Sequence, residues 1–134
     1  PEEAEVRLKW PNDLLVEGAK ASGILLEGLG GGTAIAIGLG VNIAAHPDDT
    51  PYPATHLAAH APTLDRAGFF PVLAERLTET IARLESDGFA PLRRRWLDRA
   101  AHLGRRISVR RDQRIIEGLF RDIDDDGRLL LDAD

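Results

Sequence analysis

The chain has 134 residues, and its hydrophobic content of 43% is enough to build a packed core. It has no cysteine, which excludes disulfides, thiolate nucleophiles and cysteine-ligated metals. Its formal net charge of -5 argues against general affinity for nucleic acid, and no apolar run reaches the about 20 residues that span a bilayer. We therefore expect a globular protein of the cytoplasm that binds neither nucleic acid nor a membrane.

The first third of the chain predicts antiparallel strands joined by hairpins. Val6 to Trp10 alternates apolar and basic side chains, as a half-buried strand does. Pro11-Asn12-Asp13 breaks this strand, and Leu14 to Glu17 resumes an extended run. Ile24 to Leu26 then leads to a glycine-rich connection over residues 28 to 32.

A long strand is predicted over Thr33 to Ile43, which is apolar except for Gly38, Gly40 and Asn42. This composition favours a strand that is buried on both faces. Glycines inside a strand indicate a bulge or a molecule lying against the backbone, so a flat ligand could bind to this side-chain-free wall. The plainer interpretation is a bulged core strand whose Asn42 is hydrogen-bonded locally.

The segment from His46 to Pro62 is rich in proline, aspartate and threonine, and it predicts a long loop with one helical turn near His56. His56 and His60 are four residues apart, which is the spacing of two metal ligands on one helical face. No third ligand accompanies them in the sequence, so we expect solvent-exposed histidines.

Two amphipathic helices are predicted after this loop. The first runs from Pro71 to Glu85, with Pro71 in its first turn and Gly88 as its stop. The second runs from about Pro91 to about Leu103, and its arginines are expected to face water.

The last part of the chain predicts a small antiparallel sheet. Short apolar runs alternate here with two polar turns, one around Asp112 and one over Asp124 to Gly127. A basic stretch from Arg93 to Arg114 precedes an acidic one from Glu117 to Asp134, and the two could pair across a hairpin.

Three motifs carry a family resemblance: Lys9-Trp10-Pro11-Asn12-Asp13, Lys20-Ala-Ser-Gly23-Ile-Leu-Leu-Glu27 and Gly38-Leu-Gly40-Val-Asn42. In order, spacing and strand context they resemble the central motifs of the biotin protein ligase family. The resemblance implies an α+β fold. Residues 1–103 would form a mixed, mainly antiparallel sheet packed with helices, like part of a class II aminoacyl-tRNA synthetase or biotin ligase, and residues 104–134 a partial SH3-like domain.

The same resemblance implies an ATP-dependent biotin ligase. Biotin and ATP would form biotinyl-AMP and pyrophosphate with the help of Mg²⁺. A lysine of biotin carboxyl carrier protein, a subunit of acetyl-CoA carboxylase, would then accept the biotin. A ligase that activates a carboxylate must hold two anions together and neutralise charge as pyrophosphate leaves, which requires fixed cations and backbone donors.

Lys20 is the expected catalytic residue, because it follows the turn at Gly18-Ala19 and precedes Gly23, where neighbouring bulk is absent. The resemblance implies that Lys20 contacts the biotin carboxylate and the α-phosphate of the nucleotide. We expect its amine to project into the same cavity as the glycine wall of residues 38–40. Taken alone, a lysine beside a hairpin turn is more often a solvated surface residue.

The ligand-binding residues are also implied by the resemblance. Asn12 and Asp13 would lie at the nucleotide, with Asp13 also binding Mg²⁺ and Lys9 nearby. The plainer interpretation of Pro11-Asn12-Asp13 is an ordinary turn. The remaining residues implied at the ligands are Gly23, Leu25, Gly38, Leu39, Gly40 and Asn42.

Two features of that family are absent from the sequence: a loop of the Gly-Arg-Gly-Arg-Arg-Gly type upstream of the Lys-Trp-Pro-Asn-Asp motif, and a DNA-binding winged helix. The loop closes over the labile mixed anhydride and keeps water away from it. We therefore expect the chain to be the later part of a split or partial sequence, which makes biotinyl-AMP poorly without its upstream complement.

Two other functions stay open. A lipoate ligase or lipoyl transferase shares the fold and the lysine but should lack the Trp-Pro-Asn-Asp signature. A non-catalytic binding or dimerisation module would use an exposed strand edge to pair with a partner, and a homodimer is open for the ligase as well. Saturable biotin binding that ATP strengthens would favour the ligase.

Overall fold

Residues 3–133 are described by a computed structural model, and they confirm the predicted α+β class. Both sheets are antiparallel. In chain order the elements are β1 (Val6–Lys9), β2 (Asp13–Val16), β3 (Ala19–Leu29), β4 (Ala34–Val41), α1 (Arg66–Asp87), α2 (Phe89–Leu97), β5 (Arg106–Arg111), β6 (Arg114–Ile123) and β7 (Leu129–Asp132), with short 3-10 turns at Gly30–Gly32 and Leu57–Ala59.

The chain divides into two compact units, one that ends at Thr78 and one that starts at Glu79. A domain boundary between residues 103 and 104 stays a prediction. Within the part of the chain that the structure describes, no helix is long and apolar enough to cross a membrane.

The first unit is built on a four-stranded sheet with the strands in the order β1-β2-β3-β4. Glu17 and Gly18 both have positive φ and form the tight turn between β2 and β3. The buried apolar residues of this sheet are Leu15, Val16 and Ala21. A bulge between Leu14 and Leu15 shifts the register of β2 against β3, so Asp13 lies opposite Gly23.

The strand predicted over Thr33 to Ile43 is present as Ala34–Val41, but the prediction that both of its faces are buried is wrong. Ile35 and Ile37 are 67% and 41% exposed. They stay exposed because, among the described elements, β4 packs chiefly against β3 and the Gly30–Gly32 turn. The connection predicted over residues 28–32 is also shorter than expected, since β3 continues to Leu29.

The predicted start of α1 at Pro71 is wrong, because the helix begins at Arg66 and holds Pro71 in its interior. The side chain of Asp65 accepts a hydrogen bond of 2.8 Å from the amide of Gly68, as the N-cap of a helix does. This cap starts the helix before the proline. Gly88, with φ 74, ends the helix as predicted.

The second unit packs α2 on the sheet β5-β6-β7. The helix ends at Leu97 and not near Leu103, because turns follow it up to Gly104. The ring centroids of Trp96 on α2 and Phe120 are 6.4 Å apart, and Phe120 is 1% exposed, the largest fully buried side chain among the described residues. This aromatic pair forms the centre of the unit.

Arg93 does not face water, contrary to the prediction for the arginines of α2. Its guanidinium donates hydrogen bonds of 2.6 Å to Asp122 and to the carbonyl of Ile123. Arg94 and Arg95 are exposed, as expected. The predicted pairing of the basic with the acidic stretch is present in the Arg93–Asp122 pair, although that pair joins a helix to a strand and does not cross a hairpin. The pairs of Arg121 with Asp132, and of Arg128 with Asp124 and Asp126, lie within the acidic stretch itself.

The close approach of β6 and β7 at Gly118 gives a stability prediction. A Cβ atom at Gly118 would lie 2.7 Å from the carbonyl oxygen of Asp132. We expect Gly118→Ala to lower the free energy of unfolding of this unit by about 1–3 kcal/mol, because the backbone must shift. Gly28→Ala is the matched control, since nothing lies within 4 Å of a Cβ there. Equal urea-unfolding curves for the two variants would contradict the prediction.

Candidate active site

The centre of the candidate site is an ion pair between Lys20 and Asp13. The Lys20 Nζ atom lies 2.6 Å from Asp13 Oδ1, and the two side chains are only 28% and 19% exposed. Asp13 is the first residue of β2 and Lys20 the second residue of β3, so a tight hairpin holds the two charges on one backbone frame. The pair is therefore fixed by local structure.

The hydrogen bond from Lys20 to the Asp13 carboxylate raises the pKa of the Lys20 ammonium above its usual value of 10.5. The partial burial of the amine acts in the opposite direction, and the negative charge of Asp13 and the nearby Tyr52 reinforce the increase. Lys20 is consequently a fixed cation at neutral pH.

Gly23 has no side chain, and the Lys20 amine lies next to the space that a side chain would occupy. A Cβ atom built at Gly23 would lie 3.3 Å from both Cε and Nζ of Lys20 and 3.4 Å from Asp13 Oδ1. Gly23 also lies opposite Gly40 in the pairing of β3 with β4. Two adjacent strands thus present bare backbone at the same level of the sheet.

A pocket of about 450 Å³ opens beside this bare backbone. The residues that line it include Lys20, Gly23, Gly40, Asn42, Thr50 and Tyr52. The amine-bearing residue and Gly40 of the glycine wall therefore share one cavity, as expected. Gly38 does not line this pocket, because it pairs with Leu25 two residues farther along the hairpin.

Asn42 lines the pocket at the point where the segment after β4 returns to the sheet. Its amide donates a hydrogen bond of 3.0 Å to the carbonyl of Thr55, and the Lys20 carbonyl lies 3.5 Å from the same nitrogen. These local bonds are those of the plainer interpretation, in which the asparagine is satisfied within the protein. A contact of Asn42 with a nucleotide stays a prediction.

Asn12 ties the turn after β1 to β3. Its carbonyl accepts a hydrogen bond of 2.9 Å from the amide of Ile24, and its side-chain amide donates to the carbonyl of Ile24. Lys9, at the end of β1, lies opposite Asp13 in the pairing of β1 with β2. The turn residues and the ion pair are therefore neighbours in space.

Of the predicted ligand-binding residues, three line the pocket: Gly23, Gly40 and Asn42. The other six lie outside its lining: Lys9, Asn12, Asp13, Leu25, Gly38 and Leu39. Leu25 is on β3 and is 59% exposed, and Leu39 is its near neighbour on β4, opposite Ile24. Their roles, like those of all the residues named above, stay predictions.

The segment 46–56 supplies pocket residues that the sequence did not single out. The centroid of the Tyr52 ring lies 5.3 Å from Lys20 Nζ. A signal was available, because Tyr52 stands between Pro51 and Pro53, and a residue before proline is driven toward an extended conformation. An extended stretch of this kind can pair with a strand, and Ala54 forms a parallel bridge with Lys20.

The expectation of solvent-exposed histidines is wrong for His56. It is half-buried and stacks on His46, with ring centroids 5.1 Å apart and Nδ1 atoms 2.8 Å apart. His60 is exposed, but its Nε2 lies 2.9 Å from the Thr55 hydroxyl. Within residues 3–133, no group of three or more His, Cys, Asp or Glu side chains is arranged to hold a metal ion.

Comparison with known proteins identifies the family. Residues 1–43 match the model of the biotin/lipoate A/B protein ligase family, and residues 102–134 match the model of the biotin protein ligase C-terminal domain. The chain is 41% identical to a biotin–[acetyl-CoA-carboxylase] ligase of Paracoccus denitrificans, over 96% of this chain and 57% of that protein. The chain belongs to the biotin protein ligase family.

Solved structures of biotin protein ligases share the fold. The apo enzyme of Aquifex aeolicus matches with a TM-score of 0.83 and 22% identity, over 96% of this chain and 58% of that one. The same enzyme in complex with biotin and ATP matches with a TM-score of 0.81 and 24% identity, over 94% and 54% of the two chains. The chain therefore spans little more than half the length of these biotin protein ligases.

Asp13→Asn tests the ion pair between Lys20 and Asp13. We expect the variant to lose about 1–2 kcal/mol of unfolding free energy at neutral pH, because it leaves a half-buried ammonium without a charged partner. Glu5→Gln is the matched control, since the Glu5–Arg7 pair is as short, at 2.7 Å, but 57% and 43% exposed. That variant should lose less than about 0.5 kcal/mol.

The pH dependence supplies the second readout. Because the folded-state pKa of Lys20 is raised, the stabilisation by the pair is fully present below the usual pKa of 10.5 and is lost as the pH rises through the folded-state value. The difference between the wild type and Asp13→Asn, measured by urea unfolding, should shrink in that alkaline range. A difference that stays constant there would show that the pair contributes no charge interaction.

Proposed function

We propose that this chain carries the catalytic-lysine side of a biotin ligase active site. In the proposed reaction, biotin and ATP form biotinyl-AMP and pyrophosphate, and the biotin is then transferred to a lysine of a carrier protein. The observation that carries the proposal is the Lys20 ammonium, held at 2.6 Å from Asp13, in a pocket whose wall includes Gly23 and Gly40.

The size and lining of the pocket suit a small ligand with one anionic end. Its volume of about 450 Å³ falls within the range of about 300–1,000 Å³ that is usual for small-molecule sites. The bare backbone of Gly23 and Gly40 leaves room for a flat ring system to lie against the sheet, and Lys20 offers a positive charge to a carboxylate. Biotin has both features.

In the first step, an oxygen of the biotin carboxylate attacks the α-phosphorus of ATP. The bond to the bridging oxygen breaks, and pyrophosphate leaves with the electron pair. The ammonium of Lys20 has three N–H donors, and Asp13 accepts one of them. The ammonium can also donate to oxygens of the carboxylate and the α-phosphate, which lowers the repulsion between two anions in the transition state. No protein nucleophile is needed, because the acyl chemistry takes place between the ligands.

In the second step, the acceptor amine attacks the acyl carbon of biotinyl-AMP. The bond from that carbon to the phosphate oxygen breaks, AMP leaves, and the amine loses a proton. We propose the biotin carboxyl carrier protein of acetyl-CoA carboxylase as the acceptor, and the cytoplasm, where ATP is available, as the location.

Magnesium fits this proposal only as a companion of the nucleotide. The described part of the chain offers no cluster of three candidate ligands, whereas Mg²⁺ is commonly held by one or two carboxylates together with substrate phosphates and water. Asp13 would supply one carboxylate oxygen. The ion would add positive charge beside the phosphates.

Lys20→Ala tests the catalytic assignment. In the full-length gene product that contains this chain, we expect the variant to lose about 10²–10³-fold in biotin-dependent exchange of pyrophosphate into ATP, because a fixed charge at the reacting groups is removed. Arg7→Ala is the control, since it removes an exposed cation from the same sheet. Near-normal exchange by Lys20→Ala would refute the role.

Gly40→Val tests the glycine wall. We expect the variant to fold and to bind biotin at least about tenfold more weakly in calorimetric titration, because the side chain occupies space that a ligand in the pocket needs. Gly28→Val is the matched control on β3, outside the pocket lining and with nothing within 4 Å of its Cβ position. Parallel titration with lipoate separates the alternatives, because lipoate binding in place of biotin would identify a lipoate ligase.

A further inference from the structure

The loop segment between β4 and α1 gives the pocket an aromatic wall. The Tyr52 ring lies with its centroid 5.3 Å from Lys20 Nζ, within the about 6 Å at which a cation and an aromatic face attract each other. Tyr52 also lines the pocket together with Lys20 and Gly23, and it is 43% exposed. The ring is thus positioned against the amine and not buried in the core.

Hydrogen bonds of the backbone hold Tyr52 in this position. The Lys20 amide donates to the carbonyl of Pro53 at 2.8 Å, and the Thr55 amide donates to the carbonyl of Lys20 at 2.9 Å. The Thr50 hydroxyl donates to the carbonyl of Tyr52 at 2.6 Å. The ring and the amine are therefore fixed to each other through the main chain of Lys20 itself.

We propose that Tyr52 is a positioning residue that holds the Lys20 ammonium in the pocket, and this inference rests on the proposed function. A carboxylate attracts the ammonium by accepting one of its hydrogen bonds and neutralising its charge. The Tyr52 ring attracts the ammonium through its aromatic face, and the Tyr52 side chain also contributes a hydrogen bond to it. Asp13 and Tyr52 thus both restrain the amine, and Tyr52 does so without adding a carboxylate.

The composition of the chain makes a direct test practical, because Lys9 and Lys20 are its only lysines. Selective labelling of lysine therefore gives two ε-methylene signals in the NMR spectrum, and Lys9→Arg assigns them. In the wild type we expect the Lys20 signal to be shifted upfield of the Lys9 signal by the ring current of Tyr52. In Tyr52→Leu this shift should be lost, whereas in Tyr52→Phe most of it should remain.

Two further variants keep the test interpretable. Tyr52→Met also removes the ring, and it replaces Tyr52→Leu if that variant does not fold. Phe70→Leu removes an aromatic ring that is 67% exposed on α1 and should leave both lysine signals in place. An unchanged Lys20 signal in a folded ring-free variant would overturn the proposal.

Kinetics of the full-length gene product distinguish positioning from a structural role. We expect Tyr52→Leu to lower kcat of biotin-dependent pyrophosphate exchange about 2- to 5-fold, with a smaller change in KM for biotin, because a cation–π contact of about 0.5–1 kcal/mol is lost at the reacting groups. A lost ring-current shift with unchanged kcat would overturn the positioning role. If the wild type shows no exchange with biotin, the ligase proposal fails, and the NMR result still decides whether the Tyr52 ring lies over the amine.

Discussion

The attraction between one ammonium and one carboxylate in a two-stranded hairpin is the constraint on which the candidate site depends. Lys20 and Asp13 face each other because a tight turn at Glu17 and Gly18 joins β2 to β3 and because a bulge in the pairing of these two strands brings Asp13 opposite Gly23. A positive charge that is fixed in this way can act on a substrate only if there is open space beside it. Gly23 provides that space, since any side chain there would press on the amine.

The rest of the first unit supports this hairpin from both sides. On one side β1 pairs with β2, and the turn after β1 is bonded through Asn12 to Ile24. On the other side β4 brings Gly40 and Asn42 to β3, and Asn42 holds the returning loop by its bond to Thr55. The charged residues of the site therefore lie on strands, and a loop forms its outer wall. That division agrees with the general tendency of rigid elements to position groups that loops then enclose.

The sequence is sufficient to name Lys20, Asp13 and Gly23 as residues of one candidate site, but it does not predict the ion pair between Lys20 and Asp13. Lys20, Asp13 and Gly23 lie within eleven residues and two adjacent strands, so their proximity follows from one hairpin. Gly40 joined them because the antiparallel pairing of β3 with β4 places it opposite Gly23. Tyr52 could not be found in the same way. Its contact with Lys20 spans a loop without periodicity, and only the flanking prolines indicated an extended segment.

The errors in the fold have similar causes. The start of α1 was misplaced because the capping of Gly68 by Asp65 outweighed the usual preference of proline for the first turn. Arg93 was expected in water because helical periodicity does not reveal a carboxylate 29 residues later, yet Asp122 binds it. β4 was expected to be buried because its composition is apolar, whereas exposure depends on what packs against it. Each error concerns a partner that lies far away in the sequence or a local bond that the pattern does not encode.

The raised pKa of Lys20 bears on a side reaction of the proposed chemistry, the acylation of the protein itself. An acyl-adenylate reacts with any neutral primary amine, and the nearest such group in the site would be that of Lys20 itself. This nitrogen is protonated at neutral pH, and the hydrogen bond to Asp13 favours the protonated form further, so its lone pair is less available for reaction. The same contact that makes the residue an electrostatic aid would thus make acylation of Lys20 by the intermediate less frequent.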